Sequence, residues 1–257
     1  MFIDTHTHLY LENFDKDRED IIARCKEKGV HKLFLPNIDN TTLSSVKKLA
    51  NNNPEICFAM NGLHPCYVKE NVEEVLEVLK EDFSNYEYAA VGEIGIDFYW
   101  DTTYTEEQIC AFKKQINWSS ELKLPFVIHS RSSLDLTIRI VGDAVCIPNQ
   151  CIFHCFDGTV EHANKIIDMG MKMGIGGPIT YKKSKLVDVI RSIDLKHIVL
   201  ETDSPYLTPS PHRGERNESS YLPLVAKRIA DIKEVSIEEV AEVTSENAKK
   251  VFRNIDL

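Results

Sequence analysis

Short apolar runs alternate with longer amphipathic stretches along almost the whole chain. Runs rich in Val, Ile, Phe and Leu read as strands; apolar residues recurring roughly every three or four positions read as helix. The pattern predicts strands over 2–8, 31–36, 56–62, 88–93, 125–129, 150–154, 171–176 and 197–202. Helices are predicted between them, over 15–28, 41–50, 71–82, 105–122, 132–145, 159–169 and 182–192. Two more follow the last strand, over 220–233 and 236–252. Thr105-Glu106-Glu107-Gln108 and Ser236-Ile237-Glu238-Glu239 each read as a capping box opening its helix.

Eight strand–helix alternations in 257 residues are the arithmetic of an α/β protein of the (β/α)8 TIM barrel type. A doubly wound open sheet is the alternative. It usually has fewer strands, and the first strand–helix turn here lacks G-x-G-x-x-G. No linker, repeat or low-complexity tract interrupts the alternation, so 1–257 reads as a single domain. The acidic stretch 69–82 reads as the solvated face of a helix. Residues 204–219, with Pro205, Pro209 and Pro211, form a long loop leaving the eighth strand, which marks it as functional.

Composition narrows the function. Thirty Lys+Arg against forty Asp+Glu give a formal charge of −10, which argues against a broad nucleic-acid coat. The opening residues have neither a basic nor an apolar signal segment, and no run is long enough to span a membrane. Seven Cys without a C-x-x-C pair indicate reduced thiols in a cytoplasmic protein. Cys155 neighbours His154, and strand alternation turns the two to opposite faces.

The chemically able residues are not scattered. His6 and His8 are two apart on the first strand and share a face. Glu93 ends the fourth strand, His129 the fifth and His154 the sixth, and Asp203 follows the eighth. These are C-terminal strand ends, where barrel enzymes carry their active sites. His31 and His197 open strands at the opposite rim, and His162 lies in a surface helix. Imidazoles and carboxylates converging on one rim suit Zn, Mn and related divalent ions. Six ligands exceed the three that a catalytic tetrahedral zinc takes from protein. They fit two ions sharing a bridging carboxylate, a pair that can clamp both oxygens of a phosphoester displacement. Strand four supplies Glu93 and no Lys, so no carbamylated-lysine bridge is expected.

Taken together, the motifs resemble the TatD family of metal-dependent deoxyribonucleases, within the amidohydrolase-type barrels of metallo-dependent hydrolases. Asp4-Thr5-His6-Thr7-His8 is similar to the family's DxHxH, Gly62-Leu63-His64-Pro65 to GxHP, and Gly92-Glu93-Ile94-Gly95-Ile96-Asp97 to GEIGLD. Ile128-His129-Ser130-Arg131 resembles IHxR, His154-Cys155-Phe156 resembles HxF, and Gly176-Gly177-Pro178-Ile179-Thr180 is similar to a family loop. Glu201-Thr202-Asp203-Ser204-Pro205-Tyr206-Leu207 resembles ETDxPYL, Arg213-Gly214-Glu215-Arg216-Asn217 resembles RGxxN, and Glu246-Asn247-Ala248 carries the terminal NA. Two positions depart from the pattern: Asp157 replaces a Ser, and Ser219 replaces a Pro.

The resemblance implies two divalent ions, Zn, Mg or Mn. His6, His8 and Asp203 would hold one, Glu93 would bridge, and His129 and His154 would complete the other. It implies hydrolysis of DNA ends or short single-stranded DNA, of the 3′–5′ exonuclease type, with Asp203 orienting or deprotonating water and Glu93 joining the two ions. A hydrolase of another bond (amide, lactone or aminoacyl ester) and a non-catalytic binding protein are the alternatives. Glu201 shares parity with Asp203 one layer below and is expected to orient a ligand His. His64 is a substrate contact, an outer ligand or a rim histidine. Arg131 and Arg213 are expected phosphate contacts, with Arg216, Lys182 and Lys183 also in reach. Tyr99 and Trp100 can stack on a base or cap the barrel. No sequence-reading motif is present, so sequence-specific DNA binding is not expected. Two ions would add about +4 at the rim and reverse its local sign.

Overall fold

The computed structural model describes residues 1–144, 150–253 and 255. Its strands are β1 (Phe2–Asp4), β2 (Val30–Leu35), β3 (Cys57–Ala59), β4 (Val91–Asp97), β5 (Phe126–Arg131), β6 (Cys151–Phe153), β7 (Lys172–Ile175) and β8 (Ile198–Leu200). The helices between them are α1 (Arg18–Glu27), α2 (Leu43–Asn52), α3 (Val72–Asp82), α4 (Thr105–Leu122), α5 (Leu134–Asp143), α6 (Val160–Asp168) and α7 (Leu186–Ser192). α8 (Leu222–Lys233) and α9 (Ile237–Val251) follow β8. The predicted helix over 132–145 ends at Asp143; residue 145 lies outside the described residues.

All paired strands are parallel, in two arcs ordered β1-β2-β3 and β4-β5-β6-β7-β8. The arcs are joined at both seams. Between β3 and β4, Asn61 bridges Val91, and the Ala89 amide donates to the Ala59 carbonyl at 2.8 Å. Between β8 and β1, Thr7 bridges Ser204, and the Asp203 amide donates to the His6 carbonyl at 2.9 Å. The ring therefore closes as a barrel.

Two apolar layers follow from strand alternation. Inward residues such as Ile3, Phe34, Val127, Ile152 and Val199 fill the barrel interior. Outward residues such as Leu33, Ile94, Ile128 and Phe153 pack under the helices. α9 closes the N-terminal end: Phe252, just beyond it, stacks on Phe34 with ring centroids 3.7 Å apart. Asn247 in α9 donates to the carbonyls of Leu195 and Ile198, so the terminal NA motif locks the barrel floor. Among the described residues no helix is long and apolar enough to cross a membrane.

Several boundaries differ from expectation, and one matters for the site. β4 begins at Val91 and continues to Asp97, so Glu93 sits within the strand and not at its end. A register shift between Val91 and Ile94 lets the strand keep pairing with β5 through Asp97↔Arg131. β5 likewise extends past His129 to Arg131. β1 is shorter than predicted because Asp4 breaks the ladder: its carboxylate accepts from the backbone amides of His6 and Thr202.

The expected capping box at Thr105 does not form. Gln108 turns inward, and its Oε1 accepts the Asp97 amide at 2.9 Å. Ser236 does cap α9 by accepting the Glu239 amide. A reciprocal cap that the sequence reading missed joins Thr159 and His162 at α6.

Candidate metal centre

The C-terminal rim surrounds a cavity of about 660 Å³, with Glu93 at its floor. Glu93 is buried, and among the described residues its ion-pair partners are all imidazoles. Its two oxygens face different groups. Oε2 lies 3.2 Å from His6 Nε2 and 3.7 Å from His8 Nε2. Oε1 lies 2.9 Å from His129 Nδ1, 3.0 Å from His154 Nε2 and 3.4 Å from His64 Nε2. Asp203 joins the first group, 3.5 Å from His8 Nε2 and 3.7 Å from His6 Nε2. All six predicted ligands thus meet in one place, and His64 meets them from the segment beyond β3, where it opens a short turn at Pro65–Tyr67.

Each candidate is held within or just beyond its own strand: Glu93 and His129 lie inside β4 and β5, and His6, His8, His154 and Asp203 follow β1, β6 and β8. Asp203 adopts a left-handed backbone, φ +56°, which Asp tolerates better than most side chains. Asn217 fixes this turn by donating to the carbonyls of Thr202 and Tyr206. The long loop 204–219 is clamped to α1 by the bidentate pairs Arg24–Glu218 and, at its preceding turn, Arg216–Asp17. Arg216 is therefore committed to a structural pair and is not free for phosphate. Ser219 is buried and donates to Thr7 Oγ1 at 3.1 Å, so that departure serves packing behind the site.

The hydrogen-bond partners set which ring nitrogens face inward. The Tyr10 hydroxyl donates to the Pro36 carbonyl at 2.7 Å and so accepts the His8 Nδ1 proton at 3.0 Å. In the neutral ring that leaves His8 Nε2 as a lone pair aimed at the centre. Asp97 Oδ2 sits 2.9 Å from His129 Nε2, so His129 presents Nδ1. Glu201 Oε1 lies 3.4 Å from His154 Nδ1 and accepts the Cys155 amide at 2.5 Å. Gly174 is required beside it: a Cβ there would fall 2.0 Å from Glu201 Oε2. Tyr10 and Asp97 were not assigned roles from sequence. The signal was present, since Tyr10 continues the parity of His6 and His8, and Asp97 continues that of Glu93.

The protonation states follow from this crowding. Burial would raise the Glu93 carboxyl, but His154, His64 and His6 hold it well below the carboxylate range. Burial opposes charge on His154 and His129, yet Glu93 with Glu201, and Asp97 with Glu93, push both upward. Burial and neighbouring imidazole charge hold His6 below its ordinary value, and burial does the same for His64. Asp203 is kept low against burial by His8 and His154.

The inward-facing nitrogens and carboxylate oxygens are therefore crowded onto one centre. His6 Nε2 and His8 Nε2 are 3.3 Å apart, and His64 Nε2 and His129 Nδ1 are 3.2 Å apart. Such contacts are repulsive unless a proton or a cation lies between them. Among the described residues three groups could hold an ion: His6/His8/Asp203, His6/Glu93/His154 and His64/Glu93/His129. Imidazole and carboxylate donors fit a divalent metal.

At the cavity mouth, Arg131 lies 4.0 Å from the Tyr99 ring centre and 5.3 Å from that of Trp100. Tyr67, Trp100, Tyr206 and Leu207 line the cavity and are exposed, large and apolar. Arg131 and Asp157 line it too. Arg213 does not: it is exposed and stacks on Tyr181 at 4.1 Å. Lys182 and Lys183 are also exposed and outside the lining. Cys155 does line the cavity, contrary to the alternation expected of a strand. β6 ends at Phe153, and Cys155 takes a left-handed turn at φ +46°. Burial pushes its thiol well up, and Asp203 and Glu201 add to that, so it is no nucleophile.

A closed parallel barrel with a histidine–carboxylate centre at its C-terminal rim is the arrangement of a metal-dependent barrel hydrolase. The chain belongs to the TatD related DNase family, whose model matches residues 3–253. It is 35% identical over 254 residues to the uncharacterized metal-dependent hydrolase YabD of Bacillus subtilis (strain 168), covering 98% of this chain and 99% of that protein. It is 28% identical to the 3′-5′ ssDNA/RNA exonuclease TatD of Erwinia billingiae (strain Eb661), covering 97% of this chain and 98% of that one. The fold superposes on the crystal structure of YjjV, a TatD homolog from Escherichia coli K12, with a TM-score of 0.93. That match has 29% identity and covers 99% of this chain and 98% of the other.

Proposed function

We propose that the chain removes nucleotides from the 3′ end of single-stranded DNA by hydrolysing the terminal phosphodiester, with 1–257 acting as one catalytic unit in the cytoplasm. The observation that carries this reading is the division of Glu93: one oxygen toward His6 and His8, the other toward His129, His154 and His64. We assign one divalent ion to His6, His8, Glu93 and Asp203, and a second to Glu93, His129, His154 and His64. When bound, the ions supply Lewis acidity that acidifies water and offsets phosphate charge.

The chain's own residues do the rest. Asp203, ionised and turned into the cavity, accepts a proton from the attacking water and orients it. Arg131 meets a phosphate oxygen at the mouth while its flat face stays on Tyr99. Trp100 and Tyr206 offer faces on which bases stack without regard to sequence. Arg213 serves a longer strand outside the cavity. The relatives named as ssDNA/RNA exonucleases support the substrate class.

The test is a panel on one metal-loaded preparation: 5′-labelled single-stranded DNA, RNA, duplex, a lactone and a dipeptide. Stepwise shortening of the single strand from its 3′ end, abolished by Asp203→Asn, supports the reading. Turnover of the lactone or dipeptide with no shortening of either nucleic acid assigns the centre to another bond.

A further inference from the structure

The Asp97 carboxylate joins two parts of the rim that the sequence separates. Oδ2 faces His129 Nε2 at 2.9 Å. Oδ1 accepts the backbone amides of Tyr99 at 2.8 Å and Trp100 at 3.0 Å. Its own amide donates to Gln108 Oε1, which anchors it to α4. Asp97 is fully buried, so these bonds are not shared with bulk water. The lip it holds is the opposite: Tyr99 is 58% exposed and Trp100 68% exposed. Gln108 Nε2 also donates to the Asp101 carbonyl, and Lys69 pairs with the Asp101 carboxylate at 2.9 Å, so the rest of the lip is tied down independently.

From this geometry we infer that Asp97 is a positioning residue that couples the ion at His64/Glu93/His129 to the Tyr99–Trp100 lip, so that loading the ion and ordering the lip are one event. A cation on His129 Nδ1 withdraws electron density from the ring and makes Nε2–H a stronger donor to Oδ2. The carboxylate is then pulled toward His129, and the two lip amides follow Oδ1. Linkage makes the effect reciprocal: whatever stacks on the lip and orders it tightens the ion by the same factor. The inference rests on the metal reading of the centre but not on which bond is cleaved.

Hydrogen exchange and metal uptake test it without any substrate. In the unmodified chain, Zn²⁺ added to chelator-stripped protein should slow exchange at the Tyr99 and Trp100 amides about tenfold. In a Trp118→Phe background Trp100 is the remaining tryptophan of the two, and its emission should change in step with uptake of the ion. Asp97→Asn keeps an oxygen for the lip amides but turns an amide donor toward His129 Nε2. That substitution should weaken one of two ions about 10–100-fold and leave lip exchange unresponsive even at saturating Zn²⁺. Lip exchange in wild type that ignores bound Zn²⁺ would overturn the inference, as would wild-type uptake of both ions by Asp97→Asn. The first arm needs no substitution, so it stands even where the variant does not fold. Zn²⁺-dependent lip ordering in a protein that cleaves no nucleic acid would leave this inference intact and remove only the proposed reaction.

Discussion

The Tyr10 hydroxyl and the His8 imidazole are 3.0 Å apart, and the hydroxyl is already committed as a donor to the Pro36 carbonyl. One tautomer of His8 follows, with Nε2 bare toward Glu93 and Asp203. Tyr10→Phe removes the acceptor that holds it. We predict that affinity for one ion falls about tenfold or more, while loss of two buried hydrogen bonds costs about 1–3 kcal/mol of stability. Competition with a chromophoric chelator reads the first and thermal unfolding of the metal-free protein the second. Unchanged affinity would show that His8 needs no such partner.

Gly174 leaves the space that the Glu201 carboxylate fills. Gly174→Ala places a methyl 2.0 Å from Glu201 Oε2, so the carboxylate must leave His154 and the Cys155 amide. Ion affinity on the His154 side should fall about tenfold or more. Gly176→Ala is the control, because its methyl meets Glu201 only at 3.4 Å. Equal behaviour of the two variants would contradict the role given to Glu201.

pH enters through the imidazoles. His129 and His154 are held above 6.5, so near that pH both carry protons in the metal-free protein. Loading an ion on them must release those protons, so affinity rises with pH by up to about one decade per unit for each proton released. His6 is held below 6.5 and Asp203 below 3.8, so neither adds a proton to be displaced from the other position near neutrality. Calorimetry in buffers of different ionisation enthalpy counts the protons. The expected result is proton release concentrated in the His129/His154 event. Release concentrated in the other event would reverse the assignment.

Asp157 adds a carboxylate to the mouth where the family pattern has Ser. Burial pushes its carboxyl upward, and Arg131 and His129 oppose that. A charge there repels a polyanion. Asp157→Ser should lower KM for single-stranded DNA about threefold to tenfold at low salt, with kcat unchanged and the difference shrinking as salt rises. A change in kcat with constant KM would place Asp157 in the chemistry instead.

The barrel and most of its ring of candidate ligands were legible because both rest on alternation. Apolar runs set the strands, and parity runs from inward Val127 to His129, Ile152 to His154 and Val199 to Asp203. His6 and His8 share a face with each other but are out of step with inward Ile3, because the chain leaves the β1 ladder at Asp4. What was not legible depended on partners distant in sequence. Gln108 looks like a cap and serves Asp97, eleven positions back. Arg216 looks like Arg213, yet a bidentate Asp17 claims it from 199 positions away. Cys155 reaches the cavity because the strand stops early, and pattern fixes strand ends poorly. His64 was singled out by its Gly62-Leu63-His64-Pro65 segment, but its place beside Glu93 and His129 depends on the course of the chain beyond β3.

The central claim is that Glu93 joins two ions into one hydrolytic centre, and metal content measured beside strand shortening tests it most directly. Wild type and Glu93→Gln are stripped, titrated with Mn²⁺, and read for ions bound per chain and for shortening of a 5′-labelled single strand from its 3′ end. The account predicts two ions and shortening in wild type. In Glu93→Gln it predicts fewer than two ions and activity lower by about 10²–10⁴-fold. Wild-type shortening by the Gln variant, or by protein stripped of metal, would contradict it.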